Sequence, residues 1–309
     1  MYVEERTTRA MGSDAQVIVY AHTQQAARDL AALALMRVEL LEHCWSRFRA
    51  DSELSALNDR NGHGPVAISE DLETLLSVML EAAEWTQGAF DPTVLHAMHH
   101  LGYDADFATV VARGTLADLS ETVSPTLGMT GIVVDLERHT AELPAGVGVD
   151  PGAIGKGLAA DIVASEIHAA GAEGVLVNLG GDVSVRGTAA GQPWVVGIHD
   201  DRQPDSPVVA QVTLDGDRRA VATSSSLRRR WQGRHHVIDP LTGLPATADV
   251  AQATVIAPTG WQAEAATTYA LVRGMEAAQQ WLSRSDLEAY LYPHDSDEAP
   301  HLIQEAQHA

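Results

Sequence analysis

Lysine is nearly missing from this sequence. Of its 20 basic residues, 19 are arginine and one is lysine, Lys156. If drift exchanges lysine for arginine almost everywhere, a surviving lysine marks a place where the wide, planar guanidinium fails to do what a compact ammonium does. Cysteine is as scarce: Cys44 stands alone, which excludes an internal disulfide, and its place in a helical apolar pattern reads as a half-buried core thiol. No apolar run approaches the about eighteen residues of a membrane-spanning helix. The first ten residues, Met1 to Ala10, are charged and lack the apolar stretch of a secretory signal. Together these absences point to a cytoplasmic protein without a membrane span. Basic charge is also in short supply, 20 Lys and Arg against 42 Asp and Glu, for a net charge of −22. That balance excludes nucleic-acid binding, which needs clustered cations to neutralise phosphates.

What is present is an ordinary globular composition, with 45% hydrophobic and 20% charged residues. Gln16 to Ala21 alternates like a strand, and Gln24 to Trp45 carries the apolar spacing of a long helix. A polar segment follows, Ser46 to Gly64. Ser69 with Glu70 and Asp71 reads as an N-cap and an acidic first turn, opening a helix that stops at Gly88. Asp91-Pro92-Thr93 reads as a second helix start. Gly131 to Leu136 and Thr140 to Leu143 form a predicted hairpin. Next come a glycine-rich turn, Gly146 to Gly157, a helix to about Ala170, and a strand from Val175 to Leu179 ended by Gly180-Gly181-Asp182. Further strands are expected at Trp194 to His199, Val208 to Leu214 and Ala251 to Ala257. Helices from Trp261 to Val272 and Met275 to Leu282 precede a last short strand. Strands and helices mix without strict alternation, which predicts an α+β fold of mixed or antiparallel sheets with packed helices. No repeat or long linker divides the chain, so residues 1–309 read as one domain, with Gln192 to Pro207 as a surface loop.

The chemistry concentrates in Asp150-Pro151-Gly152-Ala153-Ile154-Gly155-Lys156-Gly157, a strand end that runs through glycines into a helix. Such a turn offers backbone N–H groups and a helix N-terminus to an anion, and Lys156 adds a point charge. It is not a Walker A loop, because Asp150 replaces the first glycine and Gly157 the Ser or Thr. Taken alone, the turn is equally well a tight strand-to-helix connection with a solvated lysine.

The wider pattern is more specific. The turn is followed by Asp161 and by Val177-Asn178-Leu179-Gly180-Gly181-Asp182. Met11-Gly12-Ser13, Ser46-Arg47-Phe48-Arg49 with Asp51-Ser52-Glu53 and Leu57-Asn58, and Gly88-Ala89-Phe90-Asp91-Pro92-Thr93-Val94 precede it. Ala222-Thr223-Ser224 and His236-Val237-Ile238-Asp239-Pro240-Leu241-Thr242-Gly243-Leu244-Pro245 come later. In this order the blocks resemble the ApbE family of FAD:protein FMN transferases, from about Met11 to Leu282. The resemblance implies a T-fold-like core and a magnesium-dependent reaction, in which the FMN half of FAD passes to a threonine of an acceptor flavoprotein and AMP leaves. It also implies roles. Met11, Phe48, Ala89, Phe90, Asp91, Asp150, Lys156 and Ile238 would contact FAD, and the carbonyl of Ala153 with Glu264, Thr267 and Thr268 would hold Mg²⁺. His236 would be the general base, with Asp239 as the alternative. The i, i+4 spacing of Glu264 and Thr268 places both on one helical face.

Two departures from the family pattern stand out. Glu264 occupies a position usually held by Asp, one methylene shorter. Ser225 and Ser226 follow Ser224 where a Gly and an acidic residue are common, in a segment expected to receive the acceptor. Two other activities use the same residues: hydrolysis of FAD to FMN and AMP, and FAD binding without catalysis.

Overall fold

The computed structural model describes residues 1–113, 125–203, 207–216, 219–285, 287–295 and 297–303. A hairpin opens the chain, β1 (Tyr2–Ala10) and β2 (Ser13–Ala21), followed by α1 (Gln24–Trp45) and α2 (Glu53–Asp59). After β3 (Val66–Ala67) and α3 (Glu70–Trp85), a 3₁₀ turn at Pro92–Val94 leads to α4 (Leu95–His100) and α5 (Phe107–Ala112). Then come β4 (Val133–Asp135), β5 (Thr140–Glu142), α6 (Gly155–Ala169), β6 (Gly174–Leu179) and β7 (Asp182–Gly187). A ribbon of β8 (Trp194–Ile198) and β9 (Ala210–Leu214) precedes β10 (Ala220–Ser225). Two small hairpins, β11 (Arg230–Trp231) with β12 (Arg234–His235) and β13 (Ile238–Asp239) with β14 (Leu244–Pro245), lead to β15 (Val250–Ala257). The last described elements are α7 (Gly260–Arg273), α8 (Met275–Arg284), β16 (Glu288–Pro293) and β17 (His301–Ile303).

One eight-stranded antiparallel sheet organises the molecule, in the order β1-β2-β6-β7-β10-β15-β16-β17. Period-two alternation sends successive side chains to opposite faces. Val17 and Val19 on β2, and Val175 and Val177 on β6, enter the core shared with α1, α3 and α6, while Leu176 points to the other face. On β15, Ala253 and Val255 pack toward α7 and α8, and Ile256 packs under the β8–β9 ribbon with Trp194 and Val212. The central strands are therefore covered on both sides, and β15 is buried throughout. The architecture is α+β, as the mixed pattern predicts. α1 buries Ala27, Ala31, Ala34, Val38, Leu41 and Trp45, spaced three or four residues apart, and Thr23 caps it by accepting from the amide of Ala26.

Several elements differ from the sequence reading. Met1 to Ala10, assigned no element from the sequence, holds an edge strand, whose mostly solvent-facing residues hide the usual alternation. The polar stretch from Ser46 to Gly64 contains α2, capped by Ser52. Asp91 caps a 3₁₀ turn rather than an α-helix, accepting from the amide of Thr93. The strand expected to end at Leu179 does so, but Gly180 and Gly181 then form the two-residue turn of a hairpin in which Leu179 pairs with Asp182, and β7, not expected from the sequence, begins at once. The strand expected at Trp194 to His199 is present as β8 and interrupts the surface loop read over Gln192–Pro207, whose residues 204–206 lie outside the described residues.

Two close contacts fix α6 against α7. Gly157 and Gly260 meet backbone to backbone: a Cβ on Gly260 would lie 2.5 Å from the carbonyl oxygen of Gly157. Asp161, buried on α6, accepts from the amides of Gly260 (2.7 Å) and Trp261 (3.2 Å) and from the hydroxyl of Ser184 (2.7 Å). A carboxylate at the first amides of α7 satisfies donors that the helix itself leaves open.

Candidate active site

A cavity of about 990 Å³ opens where the β1–β2 turn, the 46–48 segment, the glycine-rich turn, β8, β10, α7 and the β13 hairpin converge. Met11, Phe48, Ala89, Phe90, Asp91, Asp150, Ala153, Lys156, His236, Ile238, Glu264 and Thr268 all line it. Thr267 does not. It is fully buried, and its hydroxyl is 2.8 Å from that of Ser224 and 2.7 Å from the carbonyl of Glu264. Its place between the two cavity-facing positions of α7 turns it toward β10, so it is not placed to share a ligand with Glu264 and Thr268.

The apolar part of the lining begins at Met11. With Gly12 it forms the two-residue turn of the β1–β2 hairpin, and both residues take positive φ, 50° and 68°. Methionine in that conformation is strained, and such strain persists at positions that present a side chain to a site. Phe48 is 43% exposed, and its ring lies 5.8 Å from that of Tyr103. Arg47 stacks over both rings, at 4.0 and 4.8 Å, and donates to the carbonyl of Tyr103.

Arg47 also forms a buried ion pair with Asp150 at 2.9 Å, the two side chains 5% and 4% exposed. The other oxygen of Asp150 accepts from the amide of Gly152 at 2.7 Å. Both oxygens of Asp150 are thus engaged by the protein, and its role is to anchor the glycine-rich turn to the 46–48 segment. Asp91 is similarly engaged: one oxygen accepts from the amide and hydroxyl of Thr93, the other from Thr126. Sequence reasoning places Arg47 in a motif and assigns it nothing, because its partner lies about a hundred positions away.

The charged part of the lining centres on Lys156. Its ammonium is bonded to both Asp182 and Glu264, the latter at 2.7 Å. The second oxygen of Glu264 accepts from the amide of Gly157 at 2.8 Å. Here the longer side chain of Glu264 spans from α7 to the first turn of α6. Burial pushes the Glu264 carboxyl up to about 7, against the lowering effect of Lys156. Gly157, read as room for an anion, is pressed against α7 instead; the open approach to the turn is on the Lys156 side.

Asp182 is 1% exposed, and its Oδ1 has no hydrogen-bond partner among the described residues. His236 Nδ1 is the other buried site atom without one. Burial is the main reason that the His236 imidazole is pushed down to about 3, with the positive charges of Arg229, His235 and Lys156 acting in the same direction. It is therefore neutral at pH 7 and can accept a proton. Arg228 and Arg229 also line the cavity, and Arg228 is paired there with Asp201 at 2.5 Å.

A hard cation fits this group of atoms. The Ala153 carbonyl, Glu264 carboxylate and Thr268 hydroxyl are all oxygen donors, as Mg²⁺ prefers. The Lys156 ammonium lies between the carboxyl groups of Asp182 and Glu264, and a cation beside Glu264 would favour its ionised form against the effect of burial. No group of three His, Cys, Asp or Glu side chains that could hold a metal occurs among the described residues.

The chain matches the model of the ApbE family over residues 11–291. It is 30% identical over 292 residues to the FAD:protein FMN transferase of Salmonella typhimurium, covering 92% of this chain and 82% of that one. To the enzyme of the same name from Treponema pallidum it is 32% identical over 243 residues, covering 74% and 67%. Among solved structures, the ApbE protein of Thermotoga maritima superposes with a TM-score of 0.84 at 25% identity, covering 98% of this chain and 97% of that chain. The flavinyl transferase ApbE of Pseudomonas stutzeri gives 0.77 at 22% identity, covering 98% and 94%.

Proposed function

The chain belongs to the ApbE family, and on that premise we propose that it transfers the FMN half of FAD to a threonine hydroxyl of an acceptor flavoprotein, with Mg²⁺ required and AMP released. The observation that carries this reading is the cavity that joins an apolar, aromatic wall at Met11, Phe48 and Tyr103 to a charged floor, where Arg229 and Lys156 stand beside the carboxyl group of Glu264. A flavin matches the first and a pyrophosphate the second.

In the reaction the threonine oxygen attacks the phosphorus on the FMN side. A new P–O bond forms as the bond to the AMP oxygen breaks, in line. Lys156 and Arg229 hold the pyrophosphate and offset the charge that builds on its oxygens. His236 takes the threonine proton, and an anionic ligand beside it raises its basicity above the value set by burial. Phe48 and Tyr103 cover the flavin. Ala153, Glu264 and Thr268 would hold Mg²⁺, which when bound supplies further charge neutralisation on the phosphate oxygens.

Purified protein incubated with FAD and Mg²⁺, with and without an acceptor fragment bearing the threonine, tests this reading. Chromatography of the nucleotides should show AMP only when the acceptor is present, and the acceptor should become fluorescent and gain the mass of FMN. AMP with free FMN in the absence of acceptor would make the protein a pyrophosphatase, and no AMP in either case an FAD carrier.

A further inference from the structure

We infer that Lys156 is the resident counter-ion of the divalent-cation site, and that Asp182 is a positioning residue onto which Lys156 shifts when the metal arrives. This rests on the metal reading above. The ammonium bridges Asp182 Oδ2 and Glu264 Oε1, while Glu264 Oε2 is held by the amide of Gly157. Each oxygen of Glu264 thus has one partner, and a cation that coordinates Oε1 would lie against the ammonium bonded to the same atom, so like charges would drive one partner away. The Gly157 amide is part of α6 and cannot leave. Lys156 sits on a flexible stem and can.

Asp182 is suited to receive it. Its Oδ1 is buried and unpartnered among the described residues, a half-satisfied carboxylate that ordinary packing avoids. An ammonium has three donors, so Lys156 can bond both oxygens of Asp182 and still direct one N–H toward a ligand phosphate. Asp182 starts β7 immediately after the Gly180-Gly181 turn, which ties its backbone to the sheet, and Asn178 accepts from the amide of Gly181 at 2.9 Å to hold that turn. The carboxylate is thus fixed while the ammonium moves. Asp182 would act on the metal only through Lys156.

Metal binding without flavin tests this. Mn²⁺ and Mg²⁺ are titrated calorimetrically into four flavin-free proteins: wild type, Asp182→Asn, Lys156→Met and the double variant, with circular dichroism confirming that each is folded. Lys156→Met should bind the metal at least tenfold more tightly, because the competing cation is gone. Asp182→Asn should bind at least tenfold more weakly, because Lys156 is left with Glu264 alone. In the double variant the Asp182 substitution should matter little, leaving affinity within about threefold of Lys156→Met. The Lys156→Met arm stands even if Asp182→Asn fails to fold. Unchanged or weaker binding by Lys156→Met overturns the inference, and so does a double variant as weak as Asp182→Asn, which would make Asp182 a direct ligand. Binding by none of the four would overturn the metal reading itself, and this inference with it.

Discussion

At the scale of single residues, the site is governed by what surrounds two groups, Lys156 and His236. An ammonium bridging Asp182 and Glu264, with a stem that passes Gly180, leaves little room for a planar guanidinium. Lys156→Arg keeps the charge, yet turnover of FAD should fall at least tenfold, equivalent to about 1.4 kcal/mol of transition-state stabilisation. Steady-state rates for the two proteins check this, and an unchanged rate would make the lone lysine a compositional accident. His236 predicts a pH effect on stability. Its folded value is pushed down to about 3 from an ordinary 6.5. Below 6.5 the unfolded chain takes a proton that the folded chain refuses, so this contribution is fully present above 6.5 and is lost as pH falls toward 3. Between pH 6.5 and 5, wild type should lose about 1–2 kcal/mol more than His236→Gln in urea denaturation. Parallel curves would mean that the buried imidazole is protonated without unfolding. Sequence alone reached both residues through their motifs. It did not reach the partners, Asp182 for Lys156 or Arg47 for Asp150, since residues 26 and 103 positions apart meet only through the sheet and the glycine-rich turn.

At the scale of elements, the sequence revealed those whose pattern is internal to them. α1, α3, α7 and β15 carry their own caps or apolar spacing and appear where expected, within a residue or two for α7 and β15, while α3 ends at Trp85, short of Gly88. β1 and β7 escaped because their form depends on a neighbour. The first is a solvent-facing edge strand defined by pairing with β2, and the second begins directly at a glycine turn. The contact between α6 and α7 belongs to the same class, and it sets the spacing between Lys156 at the start of one helix and Glu264 on the other. A Cβ on Gly157 would fall inside contact distance of the Gly260 backbone, which cannot rotate away. Gly157→Ala should destabilise the fold by about 1–3 kcal/mol through overpacking. It should also weaken metal-dependent transfer, because the helices must separate. Melting and activity measured on the same preparation test this; a variant as stable and active as wild type would show that the helices adjust without moving the site.

At the scale of the whole molecule, the cavity joins parts of the chain that lie in different cores. Phe90 packs with the α1–α3–α6 core, Ala89 with the α7–α8 core, and Ile238 with the cluster around Tyr103 and Trp231. A ligand that fills the cavity therefore links three packed units, and it binds the folded chain only. Stabilisation follows the ratio of ligand concentration to dissociation constant, about 2.7 kcal/mol at a hundredfold excess. On the proposed reading FAD would engage both the apolar wall and the charged floor, whereas FMN lacks the adenylate half and would leave part of the lining in water. At equal concentrations, FAD with Mg²⁺ should raise the melting temperature by several degrees more than FMN with Mg²⁺; for domains of ordinary size each kcal/mol corresponds to about 2–4 °C. Tryptophan fluorescence can follow the melt, since Trp45 lines the cavity and Trp85, Trp261 and Trp281 form an edge-packed cluster in the core. The difference should shrink in Lys156→Met, where the floor loses its ammonium but the flavin wall is intact. Equal shifts for FAD and FMN in the wild-type protein would place recognition in the flavin wall alone and remove the pyrophosphate from the charged floor.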